Sequence, residues 1–286
     1  MMKKMKFKML KVLALLIATT AMISCENVGD NDPTSGTLKI YLTDAPFPTD
    51  MVAEANVTIT KIDVRKENDD EENPFIILSE EEMSFNLLEL ANGVIANLVD
   101  IDLDSGLYDL VRLHVSEASI MLKDSTVYDL FVPSGAQTGI KIFIDPAIEV
   151  AGGLTSELML DFNVSKSFVV QGNPITPAGI TGFIFKPVIK ASNLTTAGRL
   201  AGMVTDTSDV VIDGVEVSMW TADTVYTTSF TDSTGAYMFL GVDAGTYDVA
   251  FAKDGFLGTD FEDIEITAGN LTTVNAQLTP EEETEE

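Results

Sequence analysis

Apolar residues recur at every second position along most of this chain, a spacing that predicts β-strands with one buried face. In the first two thirds of the chain the alternating runs are Leu38 to Leu42, Val99 to Leu103, Val111 to Val115, Ile140 to Ile144 and Leu158 to Val164. Glycine, proline and aspartate turns separate them, and the pattern contains no long amphipathic helix. It therefore predicts an all-β fold of antiparallel sandwiches and argues against a parallel α/β enzyme.

Two segments depart from the simple alternation. Val57 and Ile59 begin a strand, but the apolar phase then moves to Ile62 and Val64. A one-residue slip inside an extended run predicts a β-bulge. Further on, the pattern of Phe85 to Val99 is ambiguous, and one reading is a strand through Leu90 followed by one short helix around Asn92 to Leu98. The first domain should therefore contain at most one or two short helices.

The alternation restarts on a smaller scale beyond a polar stretch at residues 192–198, which we interpret as a linker. The later runs are Val215 to Met219, Tyr247 to Phe251, Ile264 to Ile266 and Val274 to Leu278. Some seven strands in roughly 80 residues predict a second compact sandwich. The predicted organisation is a first domain over residues 37–191, a second over 199–278 and an acidic tail over 279–286.

The start of the chain reads as an export signal. Five lysines precede the apolar run Val12 to Ile17, and Met22-Ile23-Ser24-Cys25 follows. This pattern predicts a secretory signal peptide over residues 1–24, with cleavage between Ser24 and Cys25. The segment resembles a lipobox, which implies that Cys25 carries lipid. The alternative is an ordinary signal peptide with an incidental cysteine.

Lipid on Cys25 would be the membrane anchor, because no second apolar run approaches the roughly 18 residues that cross a bilayer. Residues 25–36 are polar and turn-rich, which predicts a short tether. The predicted location is therefore the outer membrane, as a lipoprotein at the cell surface or on the periplasmic face.

Charge excludes several partners. The chain carries a formal charge of −28, and removal of residues 1–24 leaves 12 basic against 45 acidic side chains, a charge of −33. Binding of nucleic acid depends on basic side chains that displace counterions, so it is not expected. Docking on anionic lipid through charge is disfavoured for the same reason. With one cysteine there is no internal disulfide.

Two families are suggested by particular motifs. The second domain resembles the carboxypeptidase regulatory-like domain in Gly202-Met-Val-Thr-Asp206, Gly214-Val-Glu-Val217, Thr231-Asp-Ser-Thr-Gly-Ala-Tyr237 and Gly245-Thr-Tyr247. The first resembles a domain of unknown function of bacterial surface lipoproteins in Gly36-Thr-Leu-Lys-Ile-Tyr-Leu-Thr-Asp-Ala-Pro46, Gly106-Leu-Tyr-Asp-Leu-Val-Arg-Leu113, Val132-Pro-Ser-Gly-Ala-Gln-Thr-Gly139 and Phe185-Lys-Pro-Val-Ile189. The resemblance to the carboxypeptidase regulatory-like domain implies that the second domain is a transthyretin-like or immunoglobulin-like sandwich, a fold sometimes grouped with carbohydrate-binding folds. Neither resemblance implies a reaction.

Candidate catalytic and zinc-binding residues are few. His114 is the only histidine, and the alternation places it beside Tyr108, Leu110 and Arg112 on the less apolar face of its strand. No serine lies in a nucleophile-elbow pattern, so we interpret His114 as an ordinary strand residue. With Cys25 committed to lipid, a zinc site has no ligand set. We predict no catalytic and no metal residues.

Calcium is the cation that an acidic chain could hold. Asp100-Ile-Asp102-Leu-Asp104-Ser-Gly106 superficially suggests an EF-hand loop, but the glycine falls at the seventh position and Val111 stands at the twelfth. We interpret the segment as a strand with an acidic outer face. The loop Asp69 to Glu72 could also collect a cation, so calcium stays an open alternative.

One aromatic residue suggests a ligand. Trp220 alternates with Val217 and Met219 and should face outward, where it could stack on a sugar. Together with the absence of a catalytic constellation, this favours a non-catalytic binding or adhesion module, possibly one that recognises glycan. The alternative is a structural or accessory lipoprotein that contacts other envelope proteins. An enzyme is the third hypothesis.

Overall fold

The computed structural model describes residues 34–45, 51–68, 74–132, 135–173 and 179–281. Ser35–Glu286 forms one compact unit. The predictions for the signal peptide, for Ser24 and for Cys25 lie outside the described residues, as do those for residues 25–33 of the tether. The Asp69 to Glu72 loop and residues 282–286 of the acidic tail lie outside them too.

The first domain is built from twelve strands among the described residues. They are β1 (Ser35–Ala45), β2 (Val52–Lys66), β3 (Phe75–Ser79), β4 (Met83–Asn86), β5 (Ala96–Asp104), β6 (Gly106–Leu122), β7 (Val127–Leu130), β8 (Ile140–Val150), β9 (Thr155–Asn163), β10 (Phe168–Gly172), β11 (Ile180–Phe185) and β12 (Ile189–Asn193). The helical elements in the described part of this domain include a 3₁₀ turn at Leu87–Leu90 and two single turns, α1 (Gly135–Thr138) and α2 (Val164–Ser167). The all-β prediction is confirmed.

These strands form two main sheets. A four-stranded sheet has the order β12-β9-β1-β5, and a six-stranded sheet has the order β3-β2-β6-β7 with β4 beside β2 and β8 beside β6. Most pairs are antiparallel, but β9 runs parallel to β1. The alternating apolar side chains of both sheets meet in one core, in which Leu38, Ile59 and Phe162 are fully buried.

The predicted bulge is present, and the predicted helix at Asn92 to Leu98 is wrong. The register of β2 against β6 shifts on both sides of Ile59, so the core positions of β2 move from Val57 and Ile59 to Ile62. The 3₁₀ turn comes earlier than the predicted helix, because Asn86 caps it by accepting a hydrogen bond from the Leu88 amide. Residues 96–98 already pair with β1 as a strand.

The second domain is a smaller sandwich. Its strands are β13 (Gly198–Asp206), β14 (Glu216–Thr221), β15 (Thr224–Phe230), β16 (Ala236–Val242), β17 (Gly245–Ala252), β18 (Phe256–Leu257), β19 (Thr259–Ile266), β20 (Leu271–Thr273) and β21 (Ala276–Pro280). One sheet has the order β16-β13-β21-β18 with β20 beside β13, and the other has the order β15-β14-β17-β19. Its separate core includes Val217, Met219 and Phe251.

A tyrosine at the start of a long strand serves both domains in the same way. Tyr108 on β6 and Tyr247 on β17 are buried, and each hydroxyl donates a hydrogen bond to a carbonyl four residues upstream, of Asp104 (2.8 Å) and Asp243 (2.9 Å). This is the bond of a tyrosine corner, which fixes the approach to a strand. The segments Gly106-Leu-Tyr108 and Gly245-Thr-Tyr247 share the order Gly-x-Tyr and use the same structural device, once in each domain.

The two domains are packed directly against each other. Met159 lies on the face of β9 that alternation turns away from the core, yet it is completely buried. Gly241 of β16 sits above it with φ +64, and a Cβ there would lie 2.5 Å from the Met159 methyl carbon. The Ser229 hydroxyl also donates to the Asn92 side-chain oxygen at 2.8 Å. The second domain therefore covers part of the four-stranded sheet.

Candidate functional site

A groove of about 520 Å³ lies on the six-stranded sheet. Side chains of β4, β2, β6 and β7 line it, and most of them are small and polar. We call it the strand groove; its polar lining is Asn56, Thr58, Ser84, Asn86, Ser116, Glu117, Ser119 and Asp129. Its volume lies within the range of small-molecule sites.

The register of the strands brings these residues together. Asn56 pairs with Asn86 of β4 on one side and with Ser119 of β6 on the other, and Ser119 in turn pairs with Asp129 of β7. Because successive side chains point to opposite faces of a sheet, a polar row crosses four strands while Val57 faces the core. Residues from four separate parts of the sequence thus share one surface.

Hydrogen bonds hold several of these groups in place. Asn86 accepts from the Ala55 and Leu88 amides and donates to Glu89. The Thr58 and Ser84 hydroxyls lie 3.0 Å apart across β2 and β4. The lining is therefore largely preorganised, which reduces the entropy lost when a ligand binds.

An exposed aromatic ring follows the groove directly in the chain. Phe131 comes after the groove residue Leu130 and is 84% exposed. A large apolar ring in water beside a polar groove offers a stacking surface next to hydrogen-bonding groups. Sequence reasoning missed Phe131, although it continues the spacing of Val127 and Asp129 one residue beyond the end of β7, which was a usable signal.

Further along the same face lies an ion-pair cluster centred on Asp63. This carboxylate is fully buried and accepts two hydrogen bonds from Arg112, of 2.5 and 2.7 Å, and one contact of 3.1 Å from the His114 Nε2. The Lys61 ammonium lies 3.6 Å away. Burial raises the pKa of Asp63, but the bonds from Arg112 and His114 outweigh it and hold that pKa below its ordinary value.

His114 lies on the less apolar face of β6, opposite the core residues Leu113 and Val115, but it is covered there. It is 5% exposed, and Tyr108 and Leu110, placed beside it by alternation, are fully buried. Gly139 lies against it: a Cβ at this glycine, whose φ is +71, would lie 3.0 Å from the His114 Nε2. Gly139, directly before β8, therefore lies over the histidine, whose Nε2 contacts Asp63.

Trp220 lies on the outer face of β14, opposite Val217 and Met219, as alternation indicated. It is half-buried, and its indole nitrogen donates to the Ser218 hydroxyl at 2.9 Å. The strand groove is on the other domain, so the structure does not bring Trp220 together with it. Among the two aromatic candidates, Phe131 exposes more of its ring.

A second polar cavity, of about 100 Å³, lies where the domains meet. Asp161 of β9 lines it, and its Oδ1 is shielded from solvent without a hydrogen-bond partner among the described residues. Burial raises the pKa of Asp161 to about 6, against the opposing effect of Lys190 and Lys166. Lys190 is held by Tyr226 and by Asp243, 2.9 Å away.

Among the residues that the structure describes, no three His, Cys, Asp or Glu side chains are grouped to hold a metal ion. Asp100, Asp102 and Asp104 are exposed on the outer face of β5, so this segment is a strand and not a calcium loop. Within the same described ranges, no helix is long and apolar enough to span a bilayer.

The chain is a tandem of two all-β domains. The family model of a domain of unknown function, DUF4382, matches residues 35–187. The chain belongs to this family. The carboxypeptidase regulatory-like domain matches residues 199–279. Both resemblances suggested by the sequence are thereby confirmed.

No curated protein matches the chain. Among solved structures, the Bacillus anthracis TIE protein is 16% identical over 86% of this chain and 34% of its own, with a TM-score of 0.26. A type II cohesin–X-dockerin complex of Acetivibrio cellulolyticus is 20% identical over 28% of this chain and 56% of its own (TM-score 0.24). The shaft pilin SpaA of Lactobacillus rhamnosus GG is 8% identical over 87% and 99% (TM-score 0.26). The chain thus spans about a third of the length of the first of these proteins and just over half of the length of the second.

Proposed function

We propose that this protein is a non-catalytic binding module that recognises glycan through the strand groove, held at the outer membrane by lipid on Cys25. The observation that carries the binding proposal is the polar row across four strands, with the exposed Phe131 directly after the lining residue Leu130 in the chain. The anchor rests on the sequence signal alone.

The groove suits a sugar because of what its lining offers. Amide side chains such as Asn56 both donate and accept hydrogen bonds, hydroxyls such as Ser119 do the same, and carboxylates such as Asp129 accept from sugar hydroxyls. The apolar faces of a sugar ring can pack on Phe131. An apolar ligand would leave the polar row without partners, which costs free energy.

Glycan-array binding of the detergent-solubilised full chain tests this function. We expect binding to one or more polysaccharides, with Phe131→Ala and Asn56→Ala each weakening it by about tenfold, as expected for a lost stacking contact or hydrogen bond. Leu154→Ala, at a residue 64% exposed on another part of the domain, is the matched control and should bind normally.

Other outcomes point elsewhere. Loss of binding in Trp220→Ala but not in Phe131→Ala would move the site to the second domain. Glycan turnover that disappears in Glu117→Gln or Asp129→Asn would make the groove an active site with paired carboxylates. No glycan binding, together with co-purification of an envelope protein, would favour the accessory lipoprotein.

The anchor has a separate test. Cys25→Ala should abolish incorporation of labelled fatty acid and partitioning into detergent, because the thiol is the attachment atom of the proposed lipid. Ser24→Gly, which keeps a small residue before the cysteine, is the matched control. Unchanged labelling of Cys25→Ala would refute the anchor and leave the groove proposal intact.

A further inference from the structure

The strand groove continues into a basic region on the same face of the sheet. Thr58 of β2 pairs with Glu117 of β6, and the next outward pair along these strands is Lys61 with His114. Three residues of extended chain span about 10 Å. A polymer lying in the groove along the strand direction therefore reaches the basic region within a short distance.

Four basic residues share this region: Lys61, Arg65, Arg112 and Lys141, which we call the basic patch. Arg112 pairs across strands with Asp63 on one side and with Lys141 on the other. Only two carboxylates, Asp63 and Asp109, are ion-paired with the patch among the described residues. The patch is therefore locally positive, although residues 25–286 carry 45 acidic and only 12 basic side chains.

The groups of the patch differ in how far they are already engaged. Arg65 is bound bidentately by Asp109, with bonds of 2.9 and 2.7 Å. Arg112 is bound by Asp63 and stacks on the Phe75 ring, 3.3 Å from its centroid. Lys61 is 3.6 Å from a carboxylate that already accepts from two other groups, and Lys141 is exposed. The two lysines are therefore the cations best placed to take an additional anion.

We propose that the glycan of the strand groove is an acidic polysaccharide, in which uronate carboxylates at one end of the bound segment bind Lys61 and Lys141 while the hydroxyls of the neighbouring sugar rings lie in the groove. This inference rests on the proposed function and specifies its ligand. Charge complementarity supports it, because an ammonium beside a carboxylate is favourable and a positive patch on an acidic protein selects against neutral competitors.

Binding of polygalacturonate and of its fully methyl-esterified form to the full chain in detergent tests the inference. The two polymers share a backbone and differ in charge. We expect the acid form to bind about tenfold more tightly, and a Lys61→Gln/Lys141→Gln variant to lose most of that preference, since each exposed charge pair contributes about threefold. A Lys186→Gln/Arg199→Gln variant removes two charges elsewhere and should keep the preference. Added salt should weaken binding of the acid form only.

The outcomes separate the two proposals. Equal binding of both polymers, or a preference that survives in Lys61→Gln/Lys141→Gln, overturns the acidic ligand and leaves glycan binding standing. Binding of polyglutamate as tight as that of polygalacturonate also overturns it, and indicates an acidic peptide as the partner. If neither polymer binds, the inference is wrong. A positive glycan array would then keep the proposed function, and a negative array would remove both.

Discussion

At the scale of single residues, two aspartate–arginine pairs differ in burial, and the carboxylate of the buried pair also contacts His114 and Lys61. Asp63 with Arg112 and Asp109 with Arg65 are both bidentate, but the Asp63 side chain is fully buried and that of Asp109 is 26% exposed. A buried charge that loses its partner cannot be hydrated, whereas an exposed one can. The same type of ion pair should therefore contribute differently to the free energy of unfolding at the two positions.

Truncation of each aspartate measures this difference. Asp63→Ala should lower the free energy of unfolding by about 3 kcal/mol, because it leaves Arg112 and His114 without their anion. Asp109→Ala should cost no more than about 1 kcal/mol. Urea unfolding of the two variants and the wild type checks this, and equal losses would contradict the role given to burial.

At the scale of strands, much of the fold follows from alternation. The runs around Leu38, Val111 and Leu158 became buried strand faces, and the phase slip after Ile59 became a bulge. The helix at Asn92 to Leu98 was wrong because a cap at Asn86, and pairing with β1, decided that region. Local patterns predict strands well where one face simply packs on the core.

The groove could not be predicted in the same way. Four groove residues are ordinary outward residues of their own strands: Asn56, Asn86, Ser119 and Asp129. The sequence around each one does not indicate which of the others will become its neighbour. Only the register of β4, β2, β6 and β7 places them in one row. A site that is distributed over neighbouring strands depends on long-range pairing, which alternation does not encode.

At the scale of the whole molecule, the contact between the domains buries residues that point away from the first core. Alternation turns Met159 and Asp161 of β9 away from the first core, which predicts contact with water. The second domain covers that face, so the methionine becomes part of an interface and the aspartate lines a small polar cavity. The raised pKa of Asp161 is therefore a property of the assembled chain.

The burial of Asp161 between the domains should make the free energy of unfolding depend on pH in a way that is unusual for an aspartate. The pKa of Asp161 is about 6 in the folded chain, whereas the ordinary value for an aspartate is 3.8. The folded state therefore binds the proton of this carboxyl more tightly than the unfolded state does. The resulting stabilisation is full below the unfolded pKa and is lost as pH rises through about 6. We expect Asp161→Asn, which is always neutral, to be more stable than wild type at about pH 7.5 by about 2–3 kcal/mol, with the difference shrinking toward about pH 4.

Thermal and urea unfolding at several pH values checks this expectation. Asp260→Asn, on an exposed part of β19 in the second domain, changes charge equally and serves as the control. Wild-type and Asp161→Asn curves that run parallel across the whole pH range would contradict a titration of Asp161 near 6.

The acidic face of β5 has a consequence for molecules crowded together. β5 lies at one end of the four-stranded sheet, and the edge of a sheet can recruit the edge of another copy and start aggregation. Asp100, Asp102 and Asp104 stand exposed along this strand. Joining two such edges would align three carboxylates of each chain, and their repulsion disfavours edge-to-edge pairing between copies even when molecules are crowded together.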